Sequence, residues 1–574
     1  MDLKRLIAVA RGDAPADLVF RNAKVVNTFT GELEEANVAV ASGRIAGVGP
    51  YTQARQAVDL KGKWLSPGLI DGHFHLESSY LQVDQYARAV APHGTLAGVT
   101  DLHELANVCG LEGLNYVLRR ARNLPLDLFL LAPSCVPATR METSGHTLGP
   151  EDIQQALRLK GVIGLGEFMD FPSVIRGDRE ALDKLAAVQR GVRDGHAPGL
   201  QGNALNAYLA PLIGSDHETT RYEEGLEKLR RGMYLMIREG SWEQNLEELL
   251  PLVTDNTYHR CMLVVDDRSA KDLFYQGDVD AVVRKAVHLG LDPIRAIQLA
   301  TIVPATYFHL EGLGGIAPGY WANLLVLDDL KELTINAVYY HGRLVAREGK
   351  PRFGNAWTPE EPFMRRTMHI RPFTVEDLAL SHSTATFPVM EIIPGQIATR
   401  WLTESVSLVD GLVTPDSERD LLKLVVVERH KATGNIGKGL VKGFGLRRGA
   451  LATSVAHDSH NIVAVGASDQ DIYTAIKAIE ADQGGLVVVA GGQVLASLAL
   501  PVAGLLADTP LGAVVARLEE LERAARELGC SVPSPFSILS FLALPVVPEL
   551  KLTDLGLVDV TKGQLLARVG SPLA

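Results

Sequence analysis

Two histidines stand one residue apart in the stretch DGHFHLESS, residues 71–79. The run before them, WLSPGLI, is short and apolar and predicts a buried strand. Because residues i and i+2 of a strand share a face, His73 and His75 would present two imidazoles to the same point. Imidazole nitrogen is a common ligand of divalent metal ions. By itself the pair leaves two interpretations open, a metal site or two hydrogen-bonded histidines at a strand end.

Four more side chains that can bind metals follow predicted strands later in the chain. Glu167 follows the apolar run VIGLG, and Asp266 ends the run CMLVV. His196 lies in the loop sequence DGHAPG, and His217 lies in GSDHE after the run AYLAPLI. Each of them alone is more typical of an ordinary hydrogen-bonding residue. Together with the two histidines of DGHFHLESS they form a set of imidazoles and carboxylates that suits zinc, manganese or iron(II).

The elements that would hold these side chains alternate between strands and helices. An apolar run LFLLAPS (128–134) is followed by the amphipathic stretch EDIQQALRLK (151–160) and then by the run VIGLGEF (162–168). Such alternation predicts parallel strands with crossover helices, and about 250 residues of it is the size of a (β/α)8 barrel. In that fold the residues after each strand point into one mouth, so we expect all six side chains to meet there.

The predicted fold class is α/β: a (β/α)8 TIM-like barrel, a small β-sandwich domain built from both flanks of the barrel, and an additional C-terminal α/β domain. Short alternating runs in 18–48 and 314–346 predict the antiparallel strands of the β domain. We place the domains at 1–64 (first part of the β domain), 65–312 (barrel), 313–350 (return part of the β domain) and 365–574 (C-terminal domain), with a proline-rich linker at 351–363. The best C-terminal helix is 511–528, with Thr509 as the expected N-cap and one apolar face.

Composition limits the partners that this chain can have. Of its 574 residues 56 are basic and 68 acidic, a net charge of −12, which argues against nucleic acid or an anionic membrane as the main partner. Four distant cysteines without a CxxC pair (Cys109, Cys135, Cys261, Cys530) are typical of a reducing compartment. Residues 486–507 carry no charge over about the length of a membrane span, but Gly491-Gly492 predicts a buried hairpin instead. With no signal peptide recognised, we expect a cytoplasmic protein.

The sequence DLHE, residues 101–104, is a second group that could do chemistry. Asp101, His103 and Glu104 follow the apolar run TLAGV, as residues at the mouth of a barrel do. They could meet the substrate or take part in proton transfer. Alternatively, Asp101 caps a helix whose first turn is polar.

The sequence AHDSHN, residues 456–461, is the other place where histidines cluster. His457, Asp458 and His460 could contribute a third metal site or a lid over the active site. The alternative is a hydrogen-bonded turn between the runs ALATSV and NIVAVG. We expect a place near the site, without a role as a primary metal ligand.

The order of these motifs along the chain resembles that of the amidohydrolase superfamily, and within it that of the bacterial adenine deaminases. The matching stretches are PGLIDGHFHLESS, DLHELANVCG, PSCVPATRMETSG, GLGEFMDFP, DGHAPGL, SDHE, RGMYLMIREGS, DDR, GGIAPGYWANLLVLDDL and, near the C-terminus, VKGFGLRRGALATSVAHDSHNIVAVG (441–466). The resemblance covers nearly the whole chain, and the last motif separates adenine deaminases from the wider superfamily. The chain departs from the family pattern at Leu102, Asp170, Val264 and Val265, which alters packing beside the site and not the ligands.

The resemblance implies two divalent metal ions per chain, Mn²⁺ or Fe²⁺ in the first place and Zn²⁺ as a further candidate. It assigns His73 and His75 with Asp266 to one ion. It assigns His196 and His217 to the second ion. Glu167 would bridge the two, with an activated water between them. The implied catalytic residues are Asp266, Glu167, Asp101 and Glu104, with Asp266 as the base for the water.

The function that the resemblance implies is hydrolytic deamination of adenine to hypoxanthine and ammonia, in purine salvage. It also implies a homo-oligomer, a dimer in the first place. Three alternatives stay open at this point. One is a deaminase of a modified adenine, and another is a cyclic-amide hydrolase of the dihydroorotase or hydantoinase kind, which often bridges its metals through a carboxylated lysine. The third is a binding protein on a barrel that has lost its activity.

Overall fold

The computed structural model describes residues 2–354, 361–394 and 396–566. Helix α1 (Leu3–Ala10) comes first, and five strands follow: β1 (Ala16–Asn27), β2 (Glu32–Ala41), β3 (Arg44–Gly49), β4 (Ala54–Asp59) and β5 (Trp64–Pro67). β1 pairs antiparallel with β2, and β2 with β3, whereas β4 and β5 run parallel to β1. The alternating runs of residues 18–48 therefore form antiparallel strands, as predicted.

Eight parallel strands form the barrel: β6 (Leu69–Phe74), β7 (Thr95–Asp101), β8 (Asp127–Ala132), β9 (Val162–Phe168), β10 (Val192–Gly195), β11 (Ser215–Asp216), β12 (Tyr234–Arg238) and β13 (Cys261–Val264). β6 to β10 are hydrogen-bonded in that order, and β11 to β13 form a second group. The ring closes where Phe74 pairs with Asp266, and where Gly214 N donates to the Arg193 carbonyl at 2.9 Å. The predicted barrel is thus confirmed.

Helices surround the barrel and connect its strands. They are α2 (Val83–Val90), α3 (His103–Ala121), α4 (Pro150–Ala156), α5 (Phe171–Arg176), α6 (Arg179–Ala186), α7 (Gly202–Leu209), α8 (Tyr222–Arg230), α9 (Leu246–Leu249), α10 (Ala270–Tyr275), α11 (Val279–His288), α12 (Pro293–Leu299) and α13 (Ile302–Tyr307). Single 3-10 turns lie at Leu76–Ser79, Ala91–His93, Leu250–Leu252 and Tyr258–Arg260.

The structure corrects two strand predictions beside the site. WLSPGLI is not one strand, because β5 ends in the β domain at Pro67 and β6 begins in the barrel at Leu69. Gly68 makes the passage between them, where a Cβ would lie only 2.9 Å from the side chain of Leu96. Only the first three residues of the run AYLAPLI (207–213) belong to α7, the next three form a turn, and the strand before His217 has only two residues. So short a strand carries no period-two pattern that a sequence could reveal.

The chain returns to the first sheet after the barrel. Four strands follow, β14 (Leu324–Asp329), β15 (Thr334–Tyr340), β16 (Arg343–Arg347) and β17 (Lys350–Pro351). They complete a nine-stranded sheet in which β14 pairs antiparallel with β5. The β domain is thus built from both flanks of the barrel. Of the predicted linker, residues 355–360 lie outside the described part of the chain.

The C-terminal part is a second α/β unit. Its elements are β18 (Thr386–Ile392), β19 (Thr399–Ser405), β20 (Ser407–Val409), β21 (Leu412–Thr414), β22 (Leu421–Val427), β23 (Ile436–Lys442), β24 (Ala450–Thr453), β25 (Ile462–Gly466), α14 (Asp469–Ala481), β26 (Gly485–Ala490), β27 (Gln493–Ala499), α15 (Leu511–Glu527), α16 (Pro535–Phe541), β28 (Leu550–Thr553), β29 (Gly556–Asp559) and β30 (Gln564–Leu565), with 3-10 turns at Pro362–Arg365 and Val375–Leu378. Eight of the strands form one sheet, in the order β19-β18-β23-β22-β25-β24-β26-β27.

Two C-terminal predictions are confirmed with one change each. The uncharged stretch 486–507 contains the hairpin of β26 and β27 around Gly491-Gly492, but β27 is largely exposed, with Val494 at 47%. The helix at 511–528 is α15, and its predicted apolar face is buried. Its N-cap is Pro510 and not Thr509, and no side chain caps the first turn. Among the described residues no helix is both long and apolar enough to cross a membrane.

The C-terminal unit packs against the barrel near its mouth. The backbone N–H of Thr143, in the loop after β8, donates to Asp554 Oδ1 at 2.8 Å. Leu81 forms a bridge with Ala507 on another side of the barrel.

Candidate metal centre and active site

The six predicted ligands lie at the ends of barrel strands, on the same side of the barrel. His73 is the last residue but one of β6, and His75 follows that strand. Glu167 lies in β9, His196 follows β10, His217 follows β11 and Asp266 follows β13. All of them except His196 are buried to at least nine-tenths. Ligand atoms of His73, His75 and Asp266 lie within 4.8 Å of one another, and so do those of His73, Glu167 and His217. The structure therefore brings the predicted set together.

Glu167 lies at the centre of this group. Its Oε2 is 2.8 Å from His196 Nδ1 and 3.3 Å from His217 Nε2. Its Oε1 is 3.3 Å from His75 Nε2. Burial would raise the pKa of this carboxyl, but the charge of His217 and the hydrogen bonds from the surrounding imidazoles hold it well below its usual range. The ionised Glu167 carboxylate is thus close to His75 through one oxygen and to His196 and His217 through the other.

Asp266 faces the same group from the end of strand β13. Its Oδ1 lies 3.3 Å from His75 Nε2, and its Oδ2 accepts a hydrogen bond from Arg238 at 2.8 Å. Its backbone adopts the left-handed conformation, and its N–H donates to the His73 carbonyl at 3.0 Å. Burial opposes ionisation, yet the hydrogen bond from His75 and the charge of Arg238 hold the pKa of Asp266 well below its ordinary value.

The donor atoms fit divalent cations. His73 Nε2 is buried and, among the described residues, has no hydrogen-bond partner, although Asp266 Oδ1 lies 3.6 Å from it. A buried imidazole nitrogen without a partner is costly unless something else binds it. The ring of His73 also stacks on that of His217, with centroids 4.0 Å apart. Neutral imidazoles and carboxylates that converge in this way are the ligands that zinc, manganese and iron(II) share.

Residues that the sequence reasoning missed hold the ligands in place. Arg238, the last residue of β12, contacts both Glu218 and Asp266. Glu218 in turn lies 3.4 Å from His217 Nε2. Arg238 is the polar residue at the end of its own strand, so the rule that located the other six could have located it as well.

Behind the second pair of histidines, one buried lysine joins their two loops. Lys228 Nζ donates to the Ala197 carbonyl at 2.6 Å and to Asp216 Oδ2 at 2.9 Å. Ala197 and Asp216 adjoin the two histidines in sequence. Burial would raise the pKa of Asp216, but the charge of Lys228 lowers it to about 2.

The DLHE residues lie beside the metal ligands. Asp101 ends β7 and does not cap a helix, because the N-cap of α3 is Leu102. No described residue forms a hydrogen bond with the Asp101 carboxylate, and burial raises its pKa to about 7. His103 Nδ1 lies 3.6 Å from Glu167 Oε1 and 3.8 Å from Asp101 Oδ1. The capping alternative is therefore wrong, and Asp101 stands behind His103.

A cavity of about 210 Å³ opens in front of these groups. One wall carries five of the six predicted ligands, all except His73, together with His103 and Glu104. The other wall comes from the C-terminal unit, with the residues Ile397, His457, Asp458, Phe541, Leu544, Val546, Val547 and Pro548. A groove of about 1060 Å³ adjoins it at Met169 and Val546, but none of the six predicted ligands lines that groove. We place the active site in the smaller cavity because the reactive groups face it.

Family models match most of the chain. Residues 64–345 match the model of the amidohydrolase family, and residues 396–564 match the model of the adenine deaminase C-terminal domain. A protein of Dehalococcoides mccartyi named adenine deaminase is 57% identical over 566 residues, which cover 98% of this chain and 99% of that protein. Adenine deaminase 2 of Carboxydothermus hydrogenoformans is 47% identical (97% and 98% covered), and the adenine deaminase of Archaeoglobus fulgidus is 46% identical (97% and 96% covered). Because these identities extend over both units of the fold, the chain belongs to the adenine deaminase family.

Proposed function

We propose that this chain catalyses the hydrolytic deamination of adenine to hypoxanthine and ammonia. The observation that carries the proposal is the near full-length identity to proteins named adenine deaminase, which includes the C-terminal domain. The site supports it, because buried imidazoles and carboxylates converge on a cavity of small-molecule size. The cyclic-amide alternative is not favoured, since that idea leaves the C-terminal domain unexplained.

We further propose that the site holds two divalent cations, Mn²⁺ or Fe²⁺ in the first place and Zn²⁺ as a further candidate. His73, His75 and Asp266 would hold one of them. His196 and His217 would hold the other, with Glu167 between the two sets. When bound, such cations supply hydroxide at neutral pH by lowering the pKa of a water.

Asp266 is the proposed base for the attacking water. Its Oδ1 faces the histidine set, while Arg238 holds Oδ2 and keeps the side chain in one orientation. An ionised carboxylate can accept one proton of the water and return it to the departing amine, which leaves as ammonia. The oxygen of the water stays on the carbon that carried the amine and loses its second proton as the carbonyl forms, which replaces the proton that the ring nitrogen gains, so adenine and water balance hypoxanthine and ammonia.

The DLHE residues are proposed to protonate and bind the purine. A ring nitrogen must gain a proton while the attacked carbon is tetrahedral. His103 lines the cavity and can deliver that proton, and Asp101 behind it holds a proton near neutral pH because burial raises its pKa to about 7. Glu104 lines the same wall, and its Oε2 is buried without a hydrogen-bond partner among the described residues. That oxygen can accept an N–H of the base.

A role in purine salvage follows from the proposed reaction, which converts one free base into another. A homodimer and a cytoplasmic location stay predictions from the sequence. All four cysteines are free and buried, as a reducing compartment permits. Acceptance of modified adenines is a second candidate activity at the same site.

A substrate screen with controlled metal content tests the proposal. The protein is stripped with a chelator, reloaded with Mn²⁺, Fe²⁺ or Zn²⁺ alone, and assayed for ammonia release from adenine and for ring opening of dihydroorotate and hydantoin. We expect ammonia release from adenine only in the reloaded protein. His73→Ala should abolish it and lower the bound metal without unfolding the chain, whereas His288→Ala, at an exposed histidine of α11, should change neither. Turnover of a cyclic amide in place of adenine would refute the proposal.

A further inference from the structure

The turn AHDSHN (456–461) reaches the active-site cavity from the C-terminal unit. It connects β24 to β25, and its residues His457 and Asp458 line the cavity. Both side chains are almost completely buried, at 8% and 3% exposure. A turn between two antiparallel strands is usually exposed to solvent. Burial of two ionisable side chains at this place therefore requires partners.

The two partners are consecutive residues of DLHE. His457 Nδ1 forms an ion pair with Glu104 Oε1. Asp458 Oδ1 lies 3.7 Å from His103 Nε2. Two adjacent residues of the C-terminal turn thus contact two adjacent residues at the start of α3, although more than 350 residues separate them in the chain. His103 and Glu104 are the same side chains that face the substrate cavity from the barrel.

The turn is held firmly in this position. The Arg429 guanidinium donates to the carbonyl of His460, and His430 Nε2 lies 2.6 Å from the carbonyl of Ser459. The Asn461 side-chain amide donates to the Thr143 carbonyl in the barrel at 2.9 Å. These contacts leave the backbone of the turn little freedom, so the Cα positions of His457 and Asp458 are fixed relative to the cavity.

The His457 ring is also fixed in its orientation. It stacks on Phe541, with ring centroids 4.6 Å apart and an angle of 15° between the planes. With that face covered, the ring can direct Nδ1 to Glu104. Acidic Glu77 lies near Glu104 as well, and burial together with the charge of Glu104 raises the pKa of Glu77 to about 8. The pair with His457 therefore holds Glu104 through Oε1, whereas its Oε2 is buried without a hydrogen-bond partner among the described residues.

We propose that His457 and Asp458 are positioning residues, which hold Glu104 and His103 in the orientation that binds the purine. The C-terminal domain thereby completes the active site of the barrel instead of merely covering it. This inference rests on the proposed function, since Glu104 and His103 act on a base in that reaction. It assigns no metal to the turn.

Two variants of His457, one without and one with a nitrogen near the position of Nδ1, test the inference. His457→Phe keeps an aromatic ring against Phe541 and removes Nδ1, whereas His457→Asn places an amide nitrogen near the position of Nδ1. We expect His457→Phe to raise KM and the dissociation constant of adenine about 10- to 100-fold, the loss of one hydrogen bond to a charged group. His457→Asn should regain most of that loss. Asp458→Asn should lower kcat/KM with a smaller change in KM.

A double-mutant cycle with Glu104→Gln measures the coupling. If His457 acts through Glu104, the two changes together should cost little more than Glu104→Gln alone in purine affinity. Purine affinity is measured by calorimetry on the metal-loaded protein, kcat and KM by ammonia release, and metal content by elemental analysis. His382→Phe, at a histidine of the C-terminal unit outside the cavity, is the matched control and should leave all three unchanged.

Five results are decisive against the inference. Unchanged KM and affinity in His457→Phe would overturn it, and so would additive effects in the cycle. Equal losses in the Phe and Asn variants, together with a lower melting temperature, would assign the turn a structural role only. Loss of about one metal equivalent in Asp458→Asn would assign it a cation site. An inactive parent protein would overturn the proposed function and this inference with it, whereas the other results leave that function standing.

Discussion

Replacing Lys228 with methionine removes the one ammonium group that joins the loops of two proposed metal ligands. Lys228 is completely buried, and so is its partner Asp216. Its Nζ also contacts Glu224 Oε1 at 2.6 Å and the Ala197 carbonyl at 2.6 Å. Methionine matches the length of the lysine stem, so the change removes the charge and the hydrogen bonds while it preserves most of the packing.

The structure sets the scale of the expected loss. Lys228 contributes to a fall of the Asp216 pKa from its ordinary value of 3.8 to about 2, despite burial. At about 1.4 kcal/mol per pKa unit this difference is worth about 2–3 kcal/mol of stability at neutral pH. That stability is present above pH 4 and is lost as the pH falls toward 2. Removal of one partner from a buried ion pair costs about 3–5 kcal/mol, because the remaining charge stays unpaired. We therefore expect the free energy of unfolding of the barrel to fall by about 3–5 kcal/mol.

Thermal and urea unfolding at pH 7 measure this loss, with metal content determined in parallel. The melting temperature should fall by roughly 6–10 °C, and the metal bound through His196 and His217 should become weaker. Lys184→Met is the matched control, since Lys184 is also buried but donates to a neutral carbonyl, that of Ser134, at 3.0 Å. The control should lose only about 1 kcal/mol.

A double variant separates the charge effect from a packing effect. Asp216→Asn in the Lys228→Met background removes the more buried of the two carboxylates left unpaired, the other being Glu224, and should restore about half of the lost stability or more. If Lys228→Met alone unfolds within about 1 kcal/mol of the parent, the reasoning from the buried ion pair is refuted. It is also refuted if the double variant is no more stable than the single one.

Three further predictions concern other parts of the molecule. Gly166→Ala would place a Cβ 1.8 Å from Asp101 Oδ2 and displace that carboxylate. We expect kcat/KM for adenine to fall about 100-fold with the fold retained. A fall of less than about threefold would contradict the proton role of Asp101. Arg238→Met should lower kcat at least about 10-fold at matched metal content, because it frees Oδ2 of Asp266, and an unchanged kcat would show that the base needs no such support. Lys551 is fully buried, with its Nζ 2.8 Å from the Ile397 carbonyl, and burial lowers its pKa from 10.5 to about 7. Between pH 7 and 10.5 the unfolded chain therefore binds more protons than the native protein does. The free energy of unfolding should rise with pH through that window. Lys551→Met should remove this rise, of up to about 1.4 kcal/mol per pH unit, in urea titrations from pH 7 to 9.5; parallel pH profiles for both proteins would refute the prediction.

The sequence by itself predicted the barrel, which the structure confirms, and the six residues of the proposed metal-binding set, which the structure brings together. The reason is geometric, because residues that follow the parallel strands of a barrel meet at one mouth. The histidine pair of DGHFHLESS could therefore be grouped with Glu167, His196, His217 and Asp266 before any contact was known. Motif resemblance then extended to the C-terminal unit through residues 441–466. Errors arose where a pattern was too short to be informative, as for the two-residue strand before His217 and the cap of the helix at 511.

Only the tertiary structure decided which side chains support that set and what closes the cavity. Lys228 is one of several charged residues of α8, a type usually found at the surface, and nothing in the sequence indicates that its buried ammonium joins the loops of two proposed ligands. The contact of His457 with Glu104 joins residues more than 350 positions apart, and such pairings follow from how two separately folded units pack against each other. Local sequence encodes strands, helices and their buried faces through short-range sterics and periodicity. The partner that a buried charge meets across a domain boundary depends on the whole fold.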